Sequence, residues 1–438
     1  MIESGERNAI DKHVSLNLNV RGMPESATLL INEISRRLQH DGREIYRLGL
    51  GQSPFPVPRV VVNALRLYAK EKDYLPVKGL RELRGAVAEF HREKDQVNAR
   101  PEGVLVGPGS KELMFLLQLV FYGEILVPTP CWVSYVPQAR ILGKQVRLIP
   151  TSYEEQWRVT PEMLLRICEH EYDTYRPRIL VLNYPGNPEG GTYSADELKS
   201  LVDIARRYEL IVLSDEIYGQ LHFEGAHVSV ARFYPERTII SSGLSKWCGA
   251  GGWRLGTFTF PPELEWLLNA MAAVASETYT SVSAPIQYAA IRAFRGDVSI
   301  ERYLWHARRI LATLGNWCHN KLSAAGIRIH PPEGAFYLFL DFSLLADTMA
   351  QRDIRDSETL CQRLLEEVGV ALLPGTAFER PRDELTARLA YVDFDGSKAL
   401  AASETLPLDQ RLPDDFIHKC CHGVVAATEK IVEWVSKG

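Results

Sequence analysis

The strongest constraint on this chain is an alternation through its middle. Apolar runs at residues 104–106, 125–127, 146–149, 179–182, 211–213, 238–240 and 256–260 read as strands, and helix-like stretches separate several of them. In one such stretch, 194–208, Leu198, Leu201, Val202 and Ala205 recur at helical spacing, and Ser194 with Glu197 three residues on forms a candidate capping box at its start. Parallel neighbouring strands need a long crossover, and a helix supplies it. The pattern therefore predicts an α/β domain with a mainly parallel central sheet flanked by helices. Ligands of such sheets sit beyond the carboxyl ends of the strands, so the residues that follow each strand are where chemistry is sought.

After about residue 325 the rhythm changes. A strand at 336–342 follows a turn at 331–334. A helix near 358–367, strands near 370–373 and 387–394, and a C-terminal helix over 417–435 complete the pattern, which suits a smaller α+β domain. The polar, proline-containing stretch 395–415 reads as a loop insertion. A chain of 438 residues exceeds what one hydrophobic core usually holds, so two domains are expected.

Charge and cysteines narrow the surroundings. A net charge of −5 speaks against a nucleic-acid surface or a polybasic membrane anchor. No apolar run is long enough to span a membrane. The first 20 residues carry Glu3, Glu6, Asp11 and Lys12 and lack the apolar core of a signal peptide. Seven scattered cysteines without a CxxC pair or Cys/His ligand spacing fit a reducing compartment, so a cytoplasmic protein with no metal site is expected.

The polar residues behind the strands form a series. Asn183-Tyr184-Pro185-Gly186-Asn187-Pro188 follows 179–182, and Ser214-Asp215-Glu216-Ile217-Tyr218 follows 211–213. Ser241-Ser242-Gly243-Leu244-Ser245-Lys246 follows 238–240, and then comes Gly251-Gly252-Trp253-Arg254-Leu255-Gly256. Singly these are ordinary: a lysine on the surface, an aspartate capping a turn, an Asn-Pro turn. In this order the chain resembles the class I/II aminotransferases, the fold-type I pyridoxal-phosphate (PLP) enzymes, and its motifs come nearest to the aspartate/prephenate type. The resemblance runs from about residue 24 to the C-terminus, and its most specific element is Ser245-Lys246 with Arg254 eight residues on.

The resemblance implies a division into an N-terminal segment (1–50) joined to the small domain, a large PLP-binding domain (51–325) and a C-terminal small domain (326–438). It assigns Lys246 as the amine that holds PLP as a Schiff base and then shuttles a proton. Asp215 would keep the pyridine nitrogen protonated, since a nearby carboxylate favours the charged form. Asn187 and Tyr218 would hydrogen-bond the phenolic oxygen, and Trp132 would stack on the ring. Gly109, Ser110 and Lys111, at a strand-to-helix turn, would offer backbone N–H groups to the phosphate, with Ser245 and the guanidinium of Arg254. Tyr74, opening Tyr-Leu-Pro-Val-Lys-Gly, would reach the phosphate of a neighbouring subunit, which implies a homodimer; residues 281–285 fall near the same boundary. Arg388 would fork onto the substrate α-carboxylate, and the backbone of Gly51 would close over the substrate.

Ser26-Ala27-Thr28 and Lys111 match the subgroup's contacts to a distal carboxylate, although Thr28 could equally cap a helix over 29–38 and Lys111 could face solvent. Departures are visible. Glu189 replaces the usual Thr after Asn-Pro and lies outside the assigned contacts. Gly243 stands where a Ser or Thr hydroxyl often serves the phosphate, with Ser242 as the candidate replacement. The segment Gly51-Gln52-Ser53-Pro54-Phe55 differs from the usual Gly-Glu-Pro-Asp-Phe. Two other readings compete: a PLP-dependent lyase or cyclising enzyme on the same scaffold, and a ligand-sensing regulator. The short stretch ahead of the resemblance and the acidic charge speak against the regulator.

Overall fold

In the computed structural model, which describes residues 16–169, 176–413 and 415–437, short β1 (Tyr46–Arg47) precedes the strands of the main sheet. These are β2 (Val104–Gly107), β3 (Glu124–Thr129), β4 (Val146–Pro150), β5 (Arg178–Asn183), β6 (Ile211–Asp215), β7 (Thr238–Gly243) and β8 (Gly256–Thr259). The polar character assigned to the first fifteen residues lies outside the described residues.

The strands lie in the order β2-β8-β7-β6-β5-β3-β4. Pairings from β4 through β7 are parallel, and β8 runs antiparallel to both β7 and β2. Every residue of β6 and β7 is buried. A sheet covered on both faces selects continuous apolar runs over alternation, which is why these strands show in the sequence as they do. The helix Ala195–Arg207 covers one face through Leu198, Leu201, Val202 and Ala205. Its capping box is formed: Ser194 Oγ accepts from the Glu197 N–H, and the Glu197 carboxylate accepts from the Ser194 N–H.

The C-terminal part holds β9 (Tyr337–Asp341), β10 (Val370–Ala371), β11 (Leu373–Pro374) and β12 (Thr386–Ala390). β11, β12 and β9 form an antiparallel sheet, while β10 pairs in parallel with β1, joining residues 46–47 to this part of the chain.

Two expectations need correction. The 395–415 stretch is not simply a loop, because Gly396–Glu404 is helical. Asp395 caps it by accepting from the Lys398 N–H, and Ala399, Leu400 and Ser403 are buried. The expected single C-terminal helix is two, Phe416–Cys420 and His422–Ser436, with Cys421 at the break in a non-helical conformation. Among the described residues, no helix is long and apolar enough to cross a membrane.

Candidate active site

The carboxyl ends of β5, β6 and β7 bring the polar residues together. Asn183 pairs in register with Asp215, and Asp215 with Ser241. Beyond them lies a cavity of about 400 Å³. Lys246, Ser245 and Arg254 reach it from the β7–β8 connection, Asp215 and Tyr218 from the end of β6, and Asn187 from the turn after β5. Ser110, Lys111 and Trp132 line it from the segments after β2 and β3, and Thr28, Gly51 and Arg388 from β12 and the N-terminal part. Two assigned residues do not line it. Gly109 stands just behind Arg254, and Tyr74 is 91% exposed on the surface.

Asp215 is held from several sides. Tyr135 donates its hydroxyl to Oδ2 at 2.6 Å, and Ser241 donates to Oδ1 at 3.2 Å. The Asn183 amide donates to the Asp215 backbone carbonyl at 2.8 Å. Burial pushes the carboxyl up to about 6, against the pull of the Tyr135 and Ser241 hydrogen bonds and of Lys246. The next residue, Glu216, turns into a separate buried network with Ser214, Ser229 and His227, which fixes the backbone on the far side of Asp215.

Lys246 is half-buried, and its Nζ donates to the Gly51 carbonyl at 2.8 Å. Burial, with help from Arg388, lowers its amine to about 8, and Asp215 only partly opposes this. Arg388, 1% exposed, donates to Asn187 Oδ1 at 2.9 Å and to the Gly49 carbonyl at 2.6 Å, while its Nε has no partner. Its guanidinium lies over the rings of Tyr337 and Phe378, 4.7 and 5.0 Å from their centroids. Among the described residues, no carboxylate pairs with it.

The β2 turn has room for little but backbone. Gly109, which precedes the helix Ser110–Val120, has φ +93°, and a Cβ there would stand 2.2 Å from Arg254 Nη2. Arg254 itself has left-handed φ of 55° and donates to the carbonyls of Gly251 and Pro108. Gly243 has no space for the hydroxyl found at that position in the resembling family, because a Cβ would meet the Leu255 carbonyl at 2.8 Å. Ser242 does not line the cavity either.

Elsewhere on the cavity wall, Thr28 shares a hydrogen bond with Ser26 at 3.0 Å at the start of the helix Ala27–His40, where neither side chain caps the helix. Lys111 stands over the Trp132 ring at 5.4 Å, and burial and Arg254 lower its pKa. Glu189 is half-buried and does not line this cavity; it lines an adjoining pocket with Cys131, Trp132 and Tyr193, and desolvation there raises its carboxyl to about 8.

Sequence reading missed Tyr337, Tyr135 and Asn183. Tyr337 shares a 2.7 Å hydrogen bond with Tyr218, and its hydroxyl stands 2.0 Å from where a Cβ on Gly51 would lie. Asn183 was visible in the segment after β5 but received no role.

The model of the family "Aminotransferase class I and II" matches residues 43–392. The aspartate/prephenate aminotransferase of Thermus thermophilus is 33% identical over 368 residues, 83% of this chain and 91% of that protein. The aspartate aminotransferase of Bacillus subtilis is 30% identical over 388 residues, 86% and 94% of the two chains. A solved structure, the Thermus thermophilus aspartate aminotransferase with maleate, superposes with a TM-score of 0.80 at 29% identity, covering 95% of this chain and 99% of that one. With these matches behind the cavity at the strand ends, the chain belongs to the class I and II aminotransferases, enzymes that depend on PLP.

Proposed function

We propose that this protein transfers the amino group of an acidic L-amino acid to a 2-oxo acid at the cavity described above. One observation carries the reading: among the described residues, four cationic side chains, Lys111, Lys246, Arg254 and Arg388, line the cavity against the single carboxylate of Asp215. Such an excess calls for anionic occupants, and a phosphate plus one or two carboxylates would balance it.

The residues suit PLP. The Gly109 turn leaves its space to Arg254 and backbone, the helix start at Ser110 offers N–H groups, and Ser245 adds a hydroxyl. Asp215 is a buried carboxyl beside which a protonated ring nitrogen would be stabilised, and Trp132 offers an aromatic face. Bound PLP supplies an electron sink at the substrate α-carbon. Lys246, with its amine lowered to about 8, is suited to attach the cofactor and then to move a proton at that carbon. Tyr218 and Asn187 are suited to the phenolic oxygen.

Arg388 is suited to the α-carboxylate because it is buried and, among the described residues, its Nε has no partner and no carboxylate pairs with it. Gly51 closes the site through a carbonyl already bound to Lys246. Lys111 and Thr28 are suited to a second carboxylate at the other end, and the maleate named for the Thermus structure, itself a dicarboxylate, supports this. Tyr74 lies exposed and away from the cavity, which fits a role at the site of a second copy in a homodimer. The chain is proposed to act in the cytoplasm, with the large domain at 51–325 and the small domain formed by 1–50 and 326–438.

The test is the pair Lys111→Ala and Thr28→Val. Each should raise KM for aspartate at least about tenfold while leaving KM for an uncharged amino acid within about twofold. Equal changes for both substrates would remove these residues from side-chain recognition.

A further inference from the structure

The chain from Arg47 to Phe55 delivers Gly51 to Lys246, and it is tied repeatedly to one other stretch, residues 388–396. The Arg47 N–H donates to the Asp393 carboxylate at 2.8 Å. The Leu48 carbonyl accepts from the Ala390 N–H at 2.8 Å, and the Gly49 carbonyl accepts from Arg388 at 2.6 Å. Phe55 packs edge-on against Phe394 at 5.9 Å and Tyr303 at 6.4 Å.

Glycines permit the closest approaches. A Cβ on Gly396 would stand 2.2 Å from the Pro54 carbonyl oxygen and 2.8 Å from Phe55 Cα. From the lysine side, Gly249 has φ +66°, and a Cβ there would stand 2.4 Å from the Phe55 carbonyl oxygen. Backbone thus meets backbone on two sides of the segment, where no flexible side chain could yield.

Gly396 opens the helix Gly396–Glu404, and the far end of that helix is anchored as well. Arg309, on the long helix Val298–Ala324, donates to the carbonyls of Ser403, Pro407 and Gln410 at 2.6, 3.0 and 3.0 Å. His306 on the same helix hydrogen-bonds Ser403 Oγ at 2.8 Å. The stretch is therefore a strut held between the long helix and the segment that carries Gly51.

We propose that Gly396 is a positioning residue for amino-acid binding: the helix it opens fixes where the 49–55 segment sits, with Gly49 against Arg388 and Gly51 against Lys246. This rests on the reading that Gly51 closes over the substrate.

The experiment compares PLP-loaded wild type with Gly396→Ala, measuring KM and kcat for the amino acid and amide hydrogen exchange over residues 50–56. A displaced segment raises KM about fivefold or more with kcat within about twofold, and exchange over 50–56 quickens. Unchanged KM and exchange would overturn the proposal, as would a fall in kcat and PLP content with KM unmoved. If Gly396→Ala does not fold, Phe394→Leu, which removes the ring against Phe55 and keeps an apolar side chain, decides by the same split. Hydrogen exchange needs no turnover, so a wild type inactive toward every amino acid would sink the functional reading while leaving this one to be judged separately.

Discussion

A lysine amine attacks a carbonyl only when neutral, and an ordinary lysine is neutral only above pH 10. Burial beside Arg388 brings Lys246 to about 8, so its neutral fraction rises as pH climbs through that value. The rate at which cofactor-free protein captures PLP should therefore rise with a midpoint near pH 8, followed by absorbance; a midpoint near 10 would contradict the burial argument. Lys246→Ala should bind PLP without the spectral change of a covalent adduct and should lose at least about a thousandfold in turnover. Arg388→Ala should keep its cofactor and lose about 2–5 kcal/mol of affinity for amino and oxo acids, read as a rise in KM. An unchanged KM would mean that another group holds the carboxylate. These residues were legible because each follows a strand of the parallel sheet or sits in a specific run of neighbours. Tyr337 was not legible, because every residue of β9 is buried and no alternation distinguishes the face toward the cavity. Tyr135 escaped for another reason: its contact with Asp215 spans 80 residues and leaves no trace in local spacing.

Among the elements, the buried parallel strands and the capped helix were the easiest to read, since apolar runs and a Ser-x-x-Glu start are local signals. Ser194→Ala should cost about 0.5–2 kcal/mol in denaturant unfolding, by loss of the cap, and leave KM unchanged. No loss of stability would mean that water replaces the hydroxyl there. The helix Gly396–Glu404 was masked by its composition. Its Gly, Ser and Ala residues are weak hydrophobic markers, and its stability comes from burying Ala399 and Leu400 and from the long-range grip of Arg309. The antiparallel course of β8 was equally hidden, because strand direction depends on the connection and not on the strand's own residues. Gly243 shows the converse: what reads as a missing hydroxyl is a place where β7 and β8 leave no room for a side chain.

For the whole molecule, the separate three-stranded sheet that begins with β9 accords with the change of rhythm near residue 325, whereas the pairing of β1 with β10, more than 300 residues apart, could not be read locally. The exposed Tyr74 leads to a test of the dimer. Tyr74→Ala and Lys246→Ala proteins, each weak alone, should regain activity when unfolded and refolded together, because a hybrid dimer has one site with both residues intact. Roughly a quarter of wild-type activity is the ceiling for random pairing. No gain on mixing would mean that Tyr74 serves no partner's site. The central claim, amino transfer from an acidic amino acid, is tested most directly by a single half-reaction. PLP-loaded protein is mixed with aspartate and no oxo acid, and the products are counted against active sites. The account predicts about one equivalent of the matching 2-oxo acid per site, with the amino group retained on the cofactor and no free ammonia. Release of ammonia, or oxo acid formed from uncharged amino acids but not from aspartate or glutamate, would contradict it.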